Sequence, residues 1–123
     1  MTDVFQGSKL LLVEDEALLL FSIADELRDA GFDVVEASNA DQAIAMLKKT
    51  PQIRLLFTDI DMPGSMDGLQ LSAFVRGHWP PVKIIVTSGK ERPPADKIPS
   101  DSTFLPKPYS PSRVAAAINE LLG

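Results

Sequence analysis

The sequence predicts an α/β fold, a doubly wound five-stranded parallel sheet with helices on both faces. Three observations carry this. Five short apolar runs alternate with segments of helical period. The runs are apolar at consecutive positions, as strands covered on both faces must be. The chain has 123 residues, a length that suits one core of this kind.

The elements follow in order. Leu10-Leu11-Leu12-Val13 is the first run and stops at Glu14-Asp15. Leu20, Ile23, Ala24 and Leu27 then recur at helical spacing, and Gly31 ends that helix as its C-terminal cap. Val34-Val35 is the second run. Ser38 reads as the N-cap of a second helix, with Asp41 three residues on and Ala40, Ala43, Ile44 and Leu47 on one face. The third run, Leu55-Leu56-Phe57-Thr58, ends at Asp59. A loop with Pro63 and Gly64 leads to a third helix from about Asp67, carrying Leu71, Phe74 and Val75. Ile84-Ile85-Val86-Thr87 is the fourth run, ending at Ser88-Gly89, and Phe104-Leu105 is the fifth, ending at Lys107-Pro108. Ser110-Pro111 opens the last helix as N-cap and first residue, with Val114, Ala117, Ile118 and Leu121 on its buried face.

One stretch breaks the alternation. Gly89 to Pro106 should hold a fourth crossover helix, yet it carries Pro93, Pro94 and Pro99. Proline inside a helix removes a donor and clashes with the preceding turn, at about 3 kcal/mol or more. The fourth helix is therefore expected to be absent or no more than one turn.

Composition narrows the function. Twelve Lys and Arg against seventeen Asp and Glu give a net charge of -5, which argues against nucleic acid as a partner. There is no Cys, so thiolate metal sites and thiol nucleophiles are excluded. The first residues lack a secretory pattern, and no apolar stretch reaches membrane-spanning length. The expectation is one cytoplasmic domain over residues 1–123, core about 9–122, with no output domain and no membrane association.

The polar residues that end the strands carry the chemistry. In a parallel sheet Glu14-Asp15, Asp59, Thr87-Ser88 and Lys107 all lie on one edge, where ligands of such sheets bind. Carboxylates brought together repel and raise one another's pKa, and a divalent cation relieves this. An all-oxygen ligand set selects a hard ion, and an open, hydrated site favours Mg²⁺. A metal and a lysine beside a carboxylate suit phosphoryl transfer, in which positioning and charge neutralisation carry most of the effect. The carboxylate can itself be the nucleophile.

Leu10-Leu-Leu-Val-Glu-Asp-Glu, Leu56-Phe-Thr-Asp-Ile-Asp-Met-Pro-Gly-Ser-Met-Asp-Gly, Ile84-Ile-Val-Thr-Ser-Gly and Phe104-Leu-Pro-Lys-Pro-Tyr together resemble the receiver domain of bacterial two-component response regulators. The resemblance runs from about Lys9 to Leu122. It implies a flavodoxin-like strand order 2-1-3-4-5. It implies that Asp59 is the phosphoacceptor, that Asp15 binds Mg²⁺ directly and Glu14 through water or with the metal's shell, and that Asp61 lends a backbone carbonyl to the ion. Lys107 would contact the phosphoryl group, with a cis Lys107-Pro108 bond. Ser88 would be the switch hydroxyl and Phe104 the switch aromatic. The implied donor is a phosphohistidine on a histidine kinase or a histidine phosphotransfer protein, and the output is a downstream protein the sequence does not name. The domain would catalyse only its own phosphorylation and dephosphorylation. Glu14 stands where Asp is commoner, the loop after Asp59 is one residue longer, and Thr87 is a rival to Ser88, which is preferred because a small residue follows it.

Two other functions fit part of the pattern. Asp59-Ile60-Asp61 also suits the nucleophile and general acid of a haloacid dehalogenase-like phosphatase. A scaffold that has lost phosphorylation is a third reading. Three residues have plainer roles: His78 as a surface residue, Trp79 as cover for the end of the third helix, and Asp15, taken alone, as a helix N-cap. Lys90-Glu91-Arg92 reads as a solvated loop.

Overall fold

A computed structural model describes residues 9–90 and 92–123. Glu91 of the expected solvated loop, and the first residues read above for a secretory pattern, lie outside the described residues. The elements are β1 (Lys9–Val13), α1 (Ala17–Asp29), β2 (Val34–Ala37), α2 (Ala40–Lys49), β3 (Ile53–Asp59), α3 (Gly68–His78), β4 (Lys83–Ser88), β5 (Thr103–Pro106) and α4 (Pro111–Leu122). The strands form one sheet in the order β2-β1-β3-β4-β5, and every neighbouring pair is parallel.

Consecutive apolar residues occur because each strand is buried on both sides. Leu11, Val13, Leu56, Ile84 and Val86 face one core with Ala43 and Leu47 of α2 and Leu71 and Val75 of α3. Leu10, Leu12, Leu55, Phe57, Ile85 and Leu105 face the other with Ile23 and Leu27 of α1 and Val114 and Ile118 of α4. Burying one such side chain stabilises the fold by about 1.5–3 kcal/mol before entropy is counted. Among its described residues the proline-rich stretch holds only a 3₁₀ turn at Ala95–Lys97, so the shortened crossover helix is as expected.

Helix ends were mostly legible. Gly31 follows α1 with φ +97°, Asp67 closes a capping box with Gln70, and Ser110 caps α4 with Pro111 first in the helix. One expectation is corrected. The N-cap of α2 is Asn39, whose side chain accepts from Gln42 N at 2.8 Å. Ser38 lies one residue outside, and its N–H and Oγ both bond Gln42 Oε1 at 2.8 Å. Both residue types cap well; the extended backbone at Asn39 aims its carbonyl oxygen at the helix.

The strand order reverses between β1 and β3, and register levels their ends. Val13 pairs with Thr58, Asp59 with Thr87, and Ser88 with Pro106. The residues that terminate β1, β3, β4 and β5 therefore share one rim.

Candidate functional site

Each side chain at this rim is aimed by its strand. Glu14 follows β1 directly, and its N–H continues the ladder to Ala37 O at 3.1 Å. Its side chain turns inward, is 4% exposed, and accepts from Glu16 N at 3.0 Å. Asp15 is exposed beside it. It does not cap α1, whose N-cap is Glu16 with no side-chain bond, so its carboxylate is left for the rim. Asp59 ends β3 and is 5% exposed. Oxygens of Glu14, Asp15 and Asp59 all lie within 4.8 Å of one another.

Lys107 reaches this group from the far end of β5. Its Nζ lies 2.7 Å from Asp59 Oδ2 and 3.4 Å from Glu14 Oε1. The Lys107–Pro108 bond is cis. The other Asp59 oxygen, Oδ1, accepts from Asp61 N at 3.0 Å. The start of α3 presses on the same place: a Cβ added to Gly68 would lie 2.0 Å from Asp59 O. Only glycine permits that approach.

The electrostatics follow from burial and crowding. Burial pushes the Glu14 carboxyl up to about 7, reinforced by the Asp59 charge and opposed by the Glu16 N–H and by Lys107. Burial alone would lower the Lys107 ammonium, but its hydrogen bond and charge contact with Asp59, together with Glu14, raise it overall. Burial also raises the Tyr109 phenol, with the Glu14, Asp59 and Glu26 charges adding to it. The donor set is carboxylate oxygen throughout and carries surplus negative charge, which fits a small divalent cation.

The hydroxyls separate cleanly. Ser88 Oγ donates to Asp61 Oδ2 at 2.6 Å and accepts from Lys90 N at 3.0 Å. Thr87 is buried, and its Oγ1 has no hydrogen-bond partner among the described residues. Alternation along β4 turns Thr87 to the opposite face from Ser88. Phe104 is half-buried, pairs with Val86 in register, and packs against the α2–α3 core. The Arg92 guanidinium lies 5.6 Å from its ring centroid. His78 is exposed, stacks on Phe74 at 3.9 Å, and belongs to the end of α3. Trp79 is the C-cap there.

Some contributors were not foreseen. Besides the backbone carbonyl that the resemblance singles out, Asp61 offers its carboxylate, which accepts from Ser88 Oγ. Lys90, read as a solvated loop residue, lies 3.7 Å from Asp61 Oδ1; its place two residues after Ser88 was the available signal. Tyr109 packs on Phe57 with ring centroids 5.6 Å apart. With Leu19, Ile23, Glu26 and Lys107 it lines a cavity of about 250 Å³ beside the rim.

This fold, with acids at the switch point and a lysine between them, defines an acidic-rim α/β domain of the receiver class. The chain matches the response regulator receiver domain family over residues 10–119 and belongs to it. The matched span includes Asp59-Ile60-Asp61 and residues of all five strands. It is 32% identical over 120 residues to the chemotaxis protein CheY of Thermotoga maritima, covering 94% of this chain and 98% of that protein. It is 32% identical over 125 residues to the sensor kinase CckA of Brucella abortus, covering 98% of this chain and 13% of that protein. Among solved structures, a response regulator receiver protein from Sinorhizobium medicae superposes with a TM-score of 0.84 at 34% identity, over 94% of each chain. The receiver domain of the hybrid histidine kinase CckA superposes with a TM-score of 0.81 at 31% identity, over 94% of this chain and all of that one.

Proposed function

We propose that this domain is a phosphoacceptor switch in which Asp59 takes a phosphoryl group from a phosphohistidine. An Asp59 carboxylate oxygen forms the O–P bond as the donor N–P bond breaks, and the histidine leaves as a neutral imidazole once protonated. The observation that carries this is the Glu14, Asp15 and Asp59 cluster within 4.8 Å, with the Lys107 ammonium 2.7 Å from Asp59. Glu14, Asp15, Asp59 and the Asp61 backbone carbonyl would hold Mg²⁺, which when bound offsets charge on the phosphoryl oxygens. Lys107 neutralises one of those oxygens. Ser88 donates its hydroxyl to another, and Phe104 moves with it to alter the surface near β5.

The donor is a histidine kinase or a histidine phosphotransfer protein, in keeping with a relative named as a sensor kinase. Two features support docking over α1. Leu18 and Phe21 are the exposed large hydrophobics among the described residues, at 82% and 65% exposure, and the cavity between α1 and Pro108-Tyr109 opens beside Lys107. The output is a change in binding to a downstream protein. The reaction is stoichiometric, and the domain is not a multi-turnover enzyme on an external substrate. No helix among the described residues is long and apolar enough to cross a membrane.

The test is transfer from a histidine phosphotransfer protein carrying labelled phosphohistidine. With Mg²⁺, label should leave the histidine and appear on the wild-type domain in at most one equivalent. It should not appear on Asp59→Asn. Label that stays on the histidine across a panel of such donors, or that moves equally to Asp59→Asn, contradicts the reading. Sustained release of inorganic phosphate from a small phosphomonoester would favour the phosphatase.

A further inference from the structure

The phosphoacceptor reading already uses the Glu14, Asp15 and Asp59 carboxylates and gives no task to the carboxylate of Asp61. Ser88 has one hydroxyl proton, and that proton is engaged with Asp61 Oδ2 at 2.6 Å. This is the short range of a charge-assisted O–H···O⁻ bond, roughly twice as strong as a neutral one. The oxygen of Ser88 is also occupied, accepting from Lys90 N at 3.0 Å. Ser88 is 2% exposed, so water has little access to replace either partner. The opposite side of Asp61 faces Lys90 Nζ at 3.7 Å, and its N–H donates to Asp59 Oδ1 at 3.0 Å. One residue thus ties the acceptor through its backbone and the hydroxyl through its side chain.

We propose that the Asp61 carboxylate is a latch that holds the Ser88 hydroxyl away from Asp59 and competes with an incoming phosphoryl group for its proton. The proposal rests on the reading of Asp59 as phosphoacceptor and adds a positioning residue to it. Ser88 cannot donate to a phosphoryl oxygen until it releases Asp61. A phosphoryl group on Asp59 brings negative charge toward the Asp61 carboxylate, which repels it, and Lys90 is placed to keep the released carboxylate company. The latch therefore slows phosphorylation and is opened by its product.

Asp61→Asn separates the two parts of the device, because the amide keeps the shape and an acceptor oxygen but makes the weaker neutral bond. The reaction is followed by intact mass with acetyl phosphate and Mg²⁺: the Asp59 O–P bond forms as the donor O–P bond breaks and acetate leaves. Asp61→Asn should be phosphorylated about five-fold faster than wild type, the worth of exchanging a charged for a neutral hydrogen bond. Asp61→Ala should be at least as fast. In a Ser88→Ala background the same Asp61 substitutions should change the rate less than two-fold, since there is no hydroxyl to release.

Equal acceleration in both backgrounds would show that Asp61 acts only by repelling the donor, and would overturn the latch while leaving the phosphoacceptor intact. Failure of the wild-type domain to take up phosphate would overturn both. A second readout needs no phosphate. Side-chain couplings of Ser88 in the unphosphorylated protein should report one rotamer in wild type and averaging in Asp61→Ala. A single rotamer in both would also overturn the latch.

Discussion

Lys107 is the residue on which the rim's charges balance. It is the cation beside two nearly buried carboxylates, and its side chain is 25% exposed. Replacing it by Met leaves Glu14 and Asp59 facing each other without a counter-charge. Lys107→Met should cost about 1–2 kcal/mol in urea unfolding at pH 8, below the range for fully buried pairs because solvent screens the lysine. The loss should shrink at pH 5, where Glu14 is protonated in the folded protein and repels Asp59 less. Gly68 is the second critical residue. A methyl group there collides with Asp59 O, so Gly68→Ala should cost about 1–3 kcal/mol as β3 and α3 are pushed apart. A wild-type unfolding midpoint would refute that contact. The acids and lysine of the rim were legible because each directly follows an apolar run. The Asp61 side chain was not, because it lies in the loop after β3 while its partner Ser88 ends β4, 27 positions away, and no spacing rule links them.

Elements were readable where local chemistry and tertiary packing agree. The runs ending in Glu14, Asp59, Ser88 and Lys107 became strands because both their faces are covered, and Pro93, Pro94 and Pro99 removed a helix that the topology otherwise expects. The sequence points to Ser38 and the structure to Asn39 as the α2 cap, because both are good capping residues and only the backbone turn decides between them. Asn39→Ala should therefore cost about 1 kcal/mol, and Ser38→Ala distinctly less; equal losses would return the cap to Ser38. Residues 92–102 have little regular hydrogen bonding beyond their 3₁₀ turn, with Lys97 N on Pro94 O, Ile98 N on Ala95 O and Ser102 N on Pro99 O. Their amides should exchange with deuterium far faster than those of α3. Protection equal to α3 would mean that a fourth helix forms in solution.

At the scale of the molecule, the rim opposes the core that holds it. The Glu14 carboxyl is raised from its model-compound value of 4.5 to about 7. Between those two values the folded state binds a proton that the unfolded state has lost. Stability from this group is thus full below the lower value and is lost as pH rises through the higher one. Wild type should weaken from pH 5 to pH 8 relative to Glu14→Gln, whose profile lacks this component. Millimolar Mg²⁺ should restore stability at pH 8 to wild type by binding only the folded state, and much less to Asp15→Asn. Parallel pH profiles for wild type and Glu14→Gln would contradict the raised carboxyl.

Intact mass after incubation with acetyl phosphate and Mg²⁺ reaches the main assertion by the shortest route. The wild-type domain should gain a single phosphoryl group that is lost on standing, and Asp59→Asn should gain none. An unmodified wild-type domain, or a gain shared by Asp59→Asn, would remove Asp59 from the centre of the site.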